Sequence, residues 1–551
     1  MTDMRHFKSW NQPNASQDTG SLDMQGVQAI RFGSLTRSMV VNFVIAAIVF
    51  GHVGSAFAEE DHTPWPLGWM GFDYHSSRMS DAAVGEIDSS FIPPRPRRLE
   101  LGNAFVGTGP ISKGWELPTG AIWTPSLLFF GSYRTALQRF APLDENDELS
   151  EWANRLDIFG NLILSGTERI TARLRPFDEG FAGPAPQTGR FSGYYFSTSN
   201  PIGSPQGEWE NEFNADLINL FFEGDIGEMF PNLDPEDELP LDISFTVGRQ
   251  ALFYQEGLLI FDTMDAVGVT KNSIRFPKTS NLQISFLYAW NEINRGDNFE
   301  HRVNANGIPT SEQRDLDLYG LFFAVDSPWS TVNLDFVYVK DNSDDQDGLY
   351  GGISFVQRVG HLSTALRVVA SVAIDKPAPR LSVPAQAMQG IFNTGPTSAV
   401  DTGLVIFGEL GWTPPHSTNY IYLNQWIGIN DYTPAARTPG TGGPMGRAGL
   451  LTAGQGLGRY GAPISNFAQD VYAAVLGYQM ILDGVPSRRQ LVWEIGCRQD
   501  LNNMNTRTAA TLLRFQQAIG QHILLQLDAF GRLQQHESPG WGSRVELRYA
   551  F

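Results

Sequence analysis

The chain of 551 residues has little cysteine, little charge and, past its first sixty residues, no long apolar run. Its single cysteine, Cys497, excludes an intrachain disulfide. Charged residues make up 18% of the chain, against about 25% in soluble domains. No stretch after residue 60 has the roughly 20 predominantly apolar residues of a membrane helix. The other structure that satisfies every backbone N–H and C=O inside lipid is a closed β-barrel. Basic residues are also short: 39 Lys and Arg stand against 59 Asp and Glu, a formal charge of −20. That argues against a nucleic-acid partner. There is no internal repeat of the roughly 40–50 residues that a propeller blade needs. Nucleophile elbows and metal-ligand spacings are missing, and His361, His416, His522 and His536 are scattered. No catalytic activity, metal or cofactor is expected.

What is present suits many strands joined by turns: 56 glycines, 33 prolines and 12% aromatics. Residues 1–58 read as a leader with a signal peptide. Arg31 and Arg37 precede an apolar run from Met39 to Val53, and Ala56-Phe57-Ala58 forms a cleavage site before Glu59 and Glu60. The expected location is the bacterial outer membrane, after cleavage near Ala58. Residues 59–118 are irregular and rich in Pro, Gly and Ser. A periplasmic arm, an interior plug and a loop all remain open for them.

Residues 119–551 carry the barrel pattern of alternating segments of about ten residues separated by turn signals. The candidate strands are Leu127–Ala136, Glu151–Leu164, Glu168–Arg175, Ala215–Glu223, Asp242–Gln250 and Ala266–Lys271. Next come Leu282–Trp290, Leu316–Val325, Thr331–Lys340, Leu349–Arg358, Leu362–Ala373 and Gly403–Trp412. The last are Asn419–Ile429, Val471–Leu482, Gln490–Arg498, Arg507–Ile519, Ile523–Phe530 and Ser543–Phe551. An all-β transmembrane antiparallel barrel of about 18 strands (16–18) is expected. Tight turns at Pro328-Trp329, Val359-Gly360, Pro486-Ser487 and Gly520-Gln521 alternate with long stretches such as Ile374–Asp401 and Asn430–Asn466. Short periplasmic turns and long outer loops are the expected asymmetry, and the terminal aromatic Phe551 fits an outer-membrane strand.

Side chains alternate along a strand, so parity assigns faces. In the last strand Val545, Leu547, Tyr549 and Phe551 share one face, and Arg544, Glu546 and Arg548 the other. Glu168–Arg175 sets Arg169, Arg173 and Arg175 on one face. Its neighbour adds Arg155 and Asp157, and later strands add Glu494, Arg514 and Asp528. These eleven residues are the predicted pore lining. Guanidinium groups offer paired donors to carboxylate or phosphate, so the strip would draw anions. Mutual salt bridges that stiffen the wall are the competing reading. Asp341–Asp347, with Asp344 and Asp345, is acidic but lacks the ligand spacing of a calcium loop.

The stretch Phe245–Val267 reads FTVGRQALFYQEGLLIFDTMDAV. Gly248-Arg249-Gln250 ends a strand, Tyr254-Gln255-Glu256-Gly257 makes a turn, and Asp262 or Asp265 follows. This stretch resembles the alginate-export family of outer-membrane barrels. The resemblance implies an 18-stranded barrel passing an anionic polysaccharide or small solutes, with Gly248, Arg249 and Gln250 as motif residues. Parity sets Arg249 on the lipid side with Val247, where a rim arginine would pair with a carboxylate. Expected contacts are therefore outer-membrane lipid, a polysaccharide or small solutes, and periplasmic export partners. The function expected is a porin or exporter-like channel. The alternative is an occluded surface-binding or adhesion barrel without transport.

Overall fold

The computed structural model describes residues 99–102, 114–141, 148–177 and most of 192–551. In the last span the longest stretches outside the description are 197–206, 296–301 and 375–399. The leader, the Pro486-Ser487 turn, and Asp344 and Asp345 fall outside it as well.

Strands account for most of the described chain. The first six are β1 Ser126–Phe140, β2 Leu149–Ile163, β3 Arg169–Phe177, β4 Leu217–Asp225, β5 Ile243–Tyr254 and β6 Ile260–Ile274. The next six are β7 Asn281–Asn291, β8 Leu316–Asp326, β9 Ser330–Asp341, β10 Gly348–Val359, β11 Leu362–Ala373 and β12 Gly403–Trp412. Then come β13 Tyr420–Asn430, β14 Val471–Ile481, β15 Arg489–Asp500, β16 Arg507–Ile519, β17 Ile523–Gln534 and β18 Gly540–Ala550. Each pairs antiparallel with its sequence neighbour, and β18 returns to β1 from Gly542↔Phe140 to Ala550↔Ser132. The result is a closed 18-strand barrel with no free sheet edge. Leu99–Gly102 pairs with Phe129–Ser126 of β1, below the last β18 contact. An 11-residue strand such as β18, tilted by about 40° at about 3.3 Å per residue, rises close to 30 Å.

The two faces of the wall are inverted relative to a water-soluble sheet. In β18, Val545, Leu547 and Tyr549 are 46%, 44% and 45% exposed, while Arg544 and Glu546 are 2% and 1% exposed. A soluble sandwich would bury the first set and solvate the second. Leu334 and Phe336 in β9, Trp493 and Ile495 in β15 and Leu513 in β16 repeat the apolar exterior. An apolar belt around a closed wall is what a strand-built membrane span needs.

The two ends differ. At one end the connections are short, as at 327–329, 360–361 and 520–522. At the other lie 178–216, 292–315, 374–402 and 431–470. The β5–β6 hairpin is longer than the sequence pattern indicates, because its strands run on to Tyr254 and back from Ile260. Its tip is apolar on both faces, with Leu258, Leu259 and Ile260 all buried, so the period of two is lost there. The tip and the 431–470 loop turn into the barrel. Tyr432, Met445, Ala448, Leu451 and Ile464 pack with Leu258 against Val405, Phe407, Trp426 and Val475 of the wall. A second cluster sets Leu259 and Ile260 against Leu318, Val337 and Tyr350. The apolar core therefore lies inside the barrel, between wall and inward loops.

Candidate functional site

The inner wall of β16, β17, β18, β1, β2 and β3 is rich in arginine. Cross-strand register fixes the rows. Nearer the long loops, Arg514, Asp528, Arg544, Gln138 and Glu151 lie side by side. Four residues further along, Arg548, Arg134 and Arg155 occupy one row on adjacent strands. Like charges directly opposite one another destabilise a sheet, so this row needs compensation. Glu546 supplies it to Arg134 at 2.6 Å and to Arg548 at 3.5 Å, and also pairs with Arg544. Asp157 receives Arg155, Arg173 and Arg175, each at 2.9 Å. Asp528 takes Arg514 at 2.7 Å.

Stoichiometry separates two meanings of such a network. A wall stiffened by salt bridges pairs charges one to one. Here, among the described contacts, Asp157 and Glu546 each serve three guanidiniums. The arginines also stay near aromatic faces: Arg173 sits 5.1 Å from the Phe159 ring, which stacks on Phe130 at 5.0 Å.

Several of the sequence-predicted residues fall elsewhere. Arg169 separates from Arg173 and Arg175, is half-exposed and pairs with Glu223 of β4. Glu494 faces inward but is fully buried under the 431–470 loop. Arg249 lies on the outer face, opposite Asp265 in register, and binds it at 2.8 Å, with Glu292 at 3.3 Å. Gln250 faces inward and is buried. Gly248 has φ +124°, and a Cβ there would strike the Leu220 carbonyl. Asp262 accepts from the Asn294 backbone amide at 2.8 Å and from the Thr438 hydroxyl at 3.0 Å, tying two connections to the start of β6. Arg134 was not singled out in the sequence. Its parity with Ser132 and Ala136 on β1 was the available signal.

The 431–470 loop narrows the lumen opposite and beside this wall. Ala436 and Arg437 add a short parallel strand to Ile260 and Phe261. Burial pushes the Arg437 guanidinium down to about 10, so it stays protonated at neutral pH. It donates to the Gly257 carbonyl at 3.0 Å. Further along, the Glu494 carboxylate accepts the Leu450 and Leu451 amides, both at 2.8 Å, and the Tyr422 hydroxyl. Asn424 donates to the Ala448 carbonyl at 2.7 Å. The loop then reaches the arginine side. Gln138 donates to the Leu457 carbonyl at 3.0 Å, and the Tyr460 ring meets Phe140 and Phe530 edge-on at 5.5 Å. Among the described residues no group of three or more His, Cys, Asp or Glu could hold a metal ion.

No family model and no curated protein matches the chain. Solved structures do. OccK9 (OpdG) of Pseudomonas aeruginosa matches at 12% identity and TM-score 0.48, over 77% of this chain and 98% of its own. OccAB3 of Acinetobacter baumannii matches at 10% identity and TM-score 0.47, over 77% and 99%. The Pseudomonas aeruginosa OpdK structure with vanillate matches at 12% identity and TM-score 0.45, over 77% and 98%.

Proposed function

We propose that this chain is an outer-membrane channel for small anionic solutes. The observation that supports it is the three-to-one ratio of arginine to carboxylate at Asp157 and at Glu546, on one side of a lumen narrowed by the 431–470 loop. A solute anion passing this wall meets guanidinium groups gathered three around one carboxylate, so it exchanges partners as it moves. The apolar belt is read as the lipid contact, the short connections as the periplasmic end and the long ones as the outer end. The acidic net charge of the chain does not oppose this, because charge at the constriction governs selection. The polysaccharide implied by the Phe245–Val267 resemblance is the bulkier version of the same solute class. It would have to pass beside the inward loop.

Reversal potentials of the purified barrel in planar bilayers, under a potassium chloride gradient, test this. Anion preference is expected, reduced in an Arg173→Gln, Arg175→Gln double variant. Cation preference, or a preference indifferent to those substitutions, would sink it. A second reading, an occluded surface-binding barrel, is favoured by the loop's contacts with both walls. It predicts no conductance from the intact protein and conductance once the loop is shortened.

A further inference from the structure

A cleft of about 80 Å³ opens between the β5–β6 tip, β12 and the inward loop. That is room for about six waters, or for a solute of about as many heavy atoms. Its floor is apolar, and Leu258, Phe407 and Met445 there are buried. Its charged lining is open to solvent: the Glu256, Glu409 and Arg447 side chains are 45%, 32% and 57% exposed. An apolar floor with a few convergent polar groups is the usual build of a small-molecule site. The charges are matched. Arg367 of β11 binds Glu409 and lies 4.0 Å from Glu256, and Arg447 binds Glu256 at 2.8 Å. Bonding capacity of both kinds is left over. Arg367 takes Oε2 of Glu409, whose Oε1 meets no partner among the described residues. Arg447 spends Nη1 on Glu256 and keeps Nε and Nη2, and its guanidinium carbon lies 4.8 Å from the Phe253 ring centre. The tip that carries Glu256 is strained, because Gln255 and Glu256 have φ +51° and +55° without being glycine. Such strain persists where contacts over-determine it, as at ligand clamps. Here Gln255 donates to Asp335 at 2.7 Å, and the Gly257 carbonyl accepts from Arg437.

We propose that this cleft binds a small zwitterion, with a primary ammonium and a carboxylate on a short carbon chain, of the size of alanine. The ammonium donates to Glu409 Oε1, the carboxylate accepts from Arg447, and the side chain rests on Leu258, Phe407 and Met445. A simple anion would face the Glu409 carboxylate unpaired, and a simple cation would face the Arg447 guanidinium, so the matched lining selects against both. The site goes beyond the anion-channel reading. It shares no residue with the arginine wall at Asp157 and Glu546.

The probe is L-alanine, titrated into the purified full-length barrel in detergent. The readout is saturation transfer from the barrel to the L-alanine methyl protons, which needs no conduction. Propionate and ethylamine, each lacking one of the two charges, serve as competitors. L-alanine should bind saturably, and each competitor should displace it about tenfold less effectively than L-alanine itself, the worth of one hydrogen bond to a charged group. Arg447→Gln and Glu409→Gln should each weaken L-alanine about tenfold, and the Arg173→Gln, Arg175→Gln variant should leave it unchanged. Arg447 is exposed, so its variant remains informative if buried Arg367 without Glu409 prevents assembly. Propionate that displaces L-alanine as well as L-alanine does, or unchanged affinity in Arg447→Gln, overturns the site. A barrel that binds L-alanine but prefers cations refutes the anion channel and leaves the cleft standing. An anion-selective barrel without saturable L-alanine binding refutes the cleft alone.

Discussion

Removing the Glu494 carboxylate is the sharpest perturbation of the inward loop. Glu494 is fully buried and accepts the Leu450 and Leu451 amides at 2.8 Å and the Tyr422 hydroxyl. Hydrogen bonds to a charged group contribute about 1.5–3 kcal/mol each. Counting only the two loop amides, Glu494→Ala should cost the docked loop about 3–6 kcal/mol. Even the lower figure changes the ratio of docked to released loop by about 100-fold. The remaining ties near that point are the Asn424–Ala448 bond and the apolar packing of Leu451 and Ile464. The Arg437–Gly257 and Ala436–Ile260 contacts hold the loop's other limb. The expected result is partial release, with a larger mean conductance, more frequent transitions between levels and weaker anion preference. Glu494→Gln keeps one acceptor but turns an amide NH2 toward one of the two N–H donors, so it should fall between. Single-channel recording of both variants checks the order. A Glu494→Ala barrel with wild-type conductance and noise, and normal heat-modifiability on gels, would refute the clamp.

Other outcomes follow from named contacts. The Arg173→Gln, Arg175→Gln variant removes two charges within reach of a passing anion. At about 6 Å in water that is worth about 1 kcal/mol after screening at 0.1 M salt, a several-fold fall in anion-to-cation permeability. Arg249→Met breaks the outer-face pair with Asp265 and leaves a carboxylate at the apolar exterior, so assembly yield should fall while the selectivity of the folded fraction stays unchanged. Gly248→Ala forces a Cβ into the Leu220 carbonyl at φ +124°, and should lower the conversion temperature, consistent with about 1–3 kcal/mol of backbone strain. At Gly458 (φ +63°) an added Cβ would meet the Gln138 amide nitrogen and a Glu151 oxygen. Gly458→Val should therefore lift the loop from that wall and raise conductance.

The barrel was legible because its wall obeys one rule, a period of two with opposite chemistry on each face. Each candidate strand, from Leu127–Ala136 to Ser543–Phe551, overlaps one strand of the closed sheet. The rule fails where a second layer covers the wall. The strands at Asp242–Gln250 and Ala266–Lys271 run further than their alternation indicates, because Leu258, Leu259 and Ile260 are buried by Tyr432, Ala435 and Ala436. Parity likewise gives direction but not cover. It puts Glu494 on the lumen face, yet only the loop that folds over it turns that carboxylate into an anchor.

The same limit explains the charged residues. Sequence could list Arg155, Arg173, Arg175, Arg544 and Arg548 on one face without saying how many carboxylates each meets. Pairing depends on register between strands far apart in the chain: Glu546 meets Arg134 only because β18 closes on β1. Closure thus does more than remove an edge. It brings the first and last strands together so that their arginines share Glu546, and it sets that arginine cluster beneath Tyr460, on the side of the lumen where the inward loop ends.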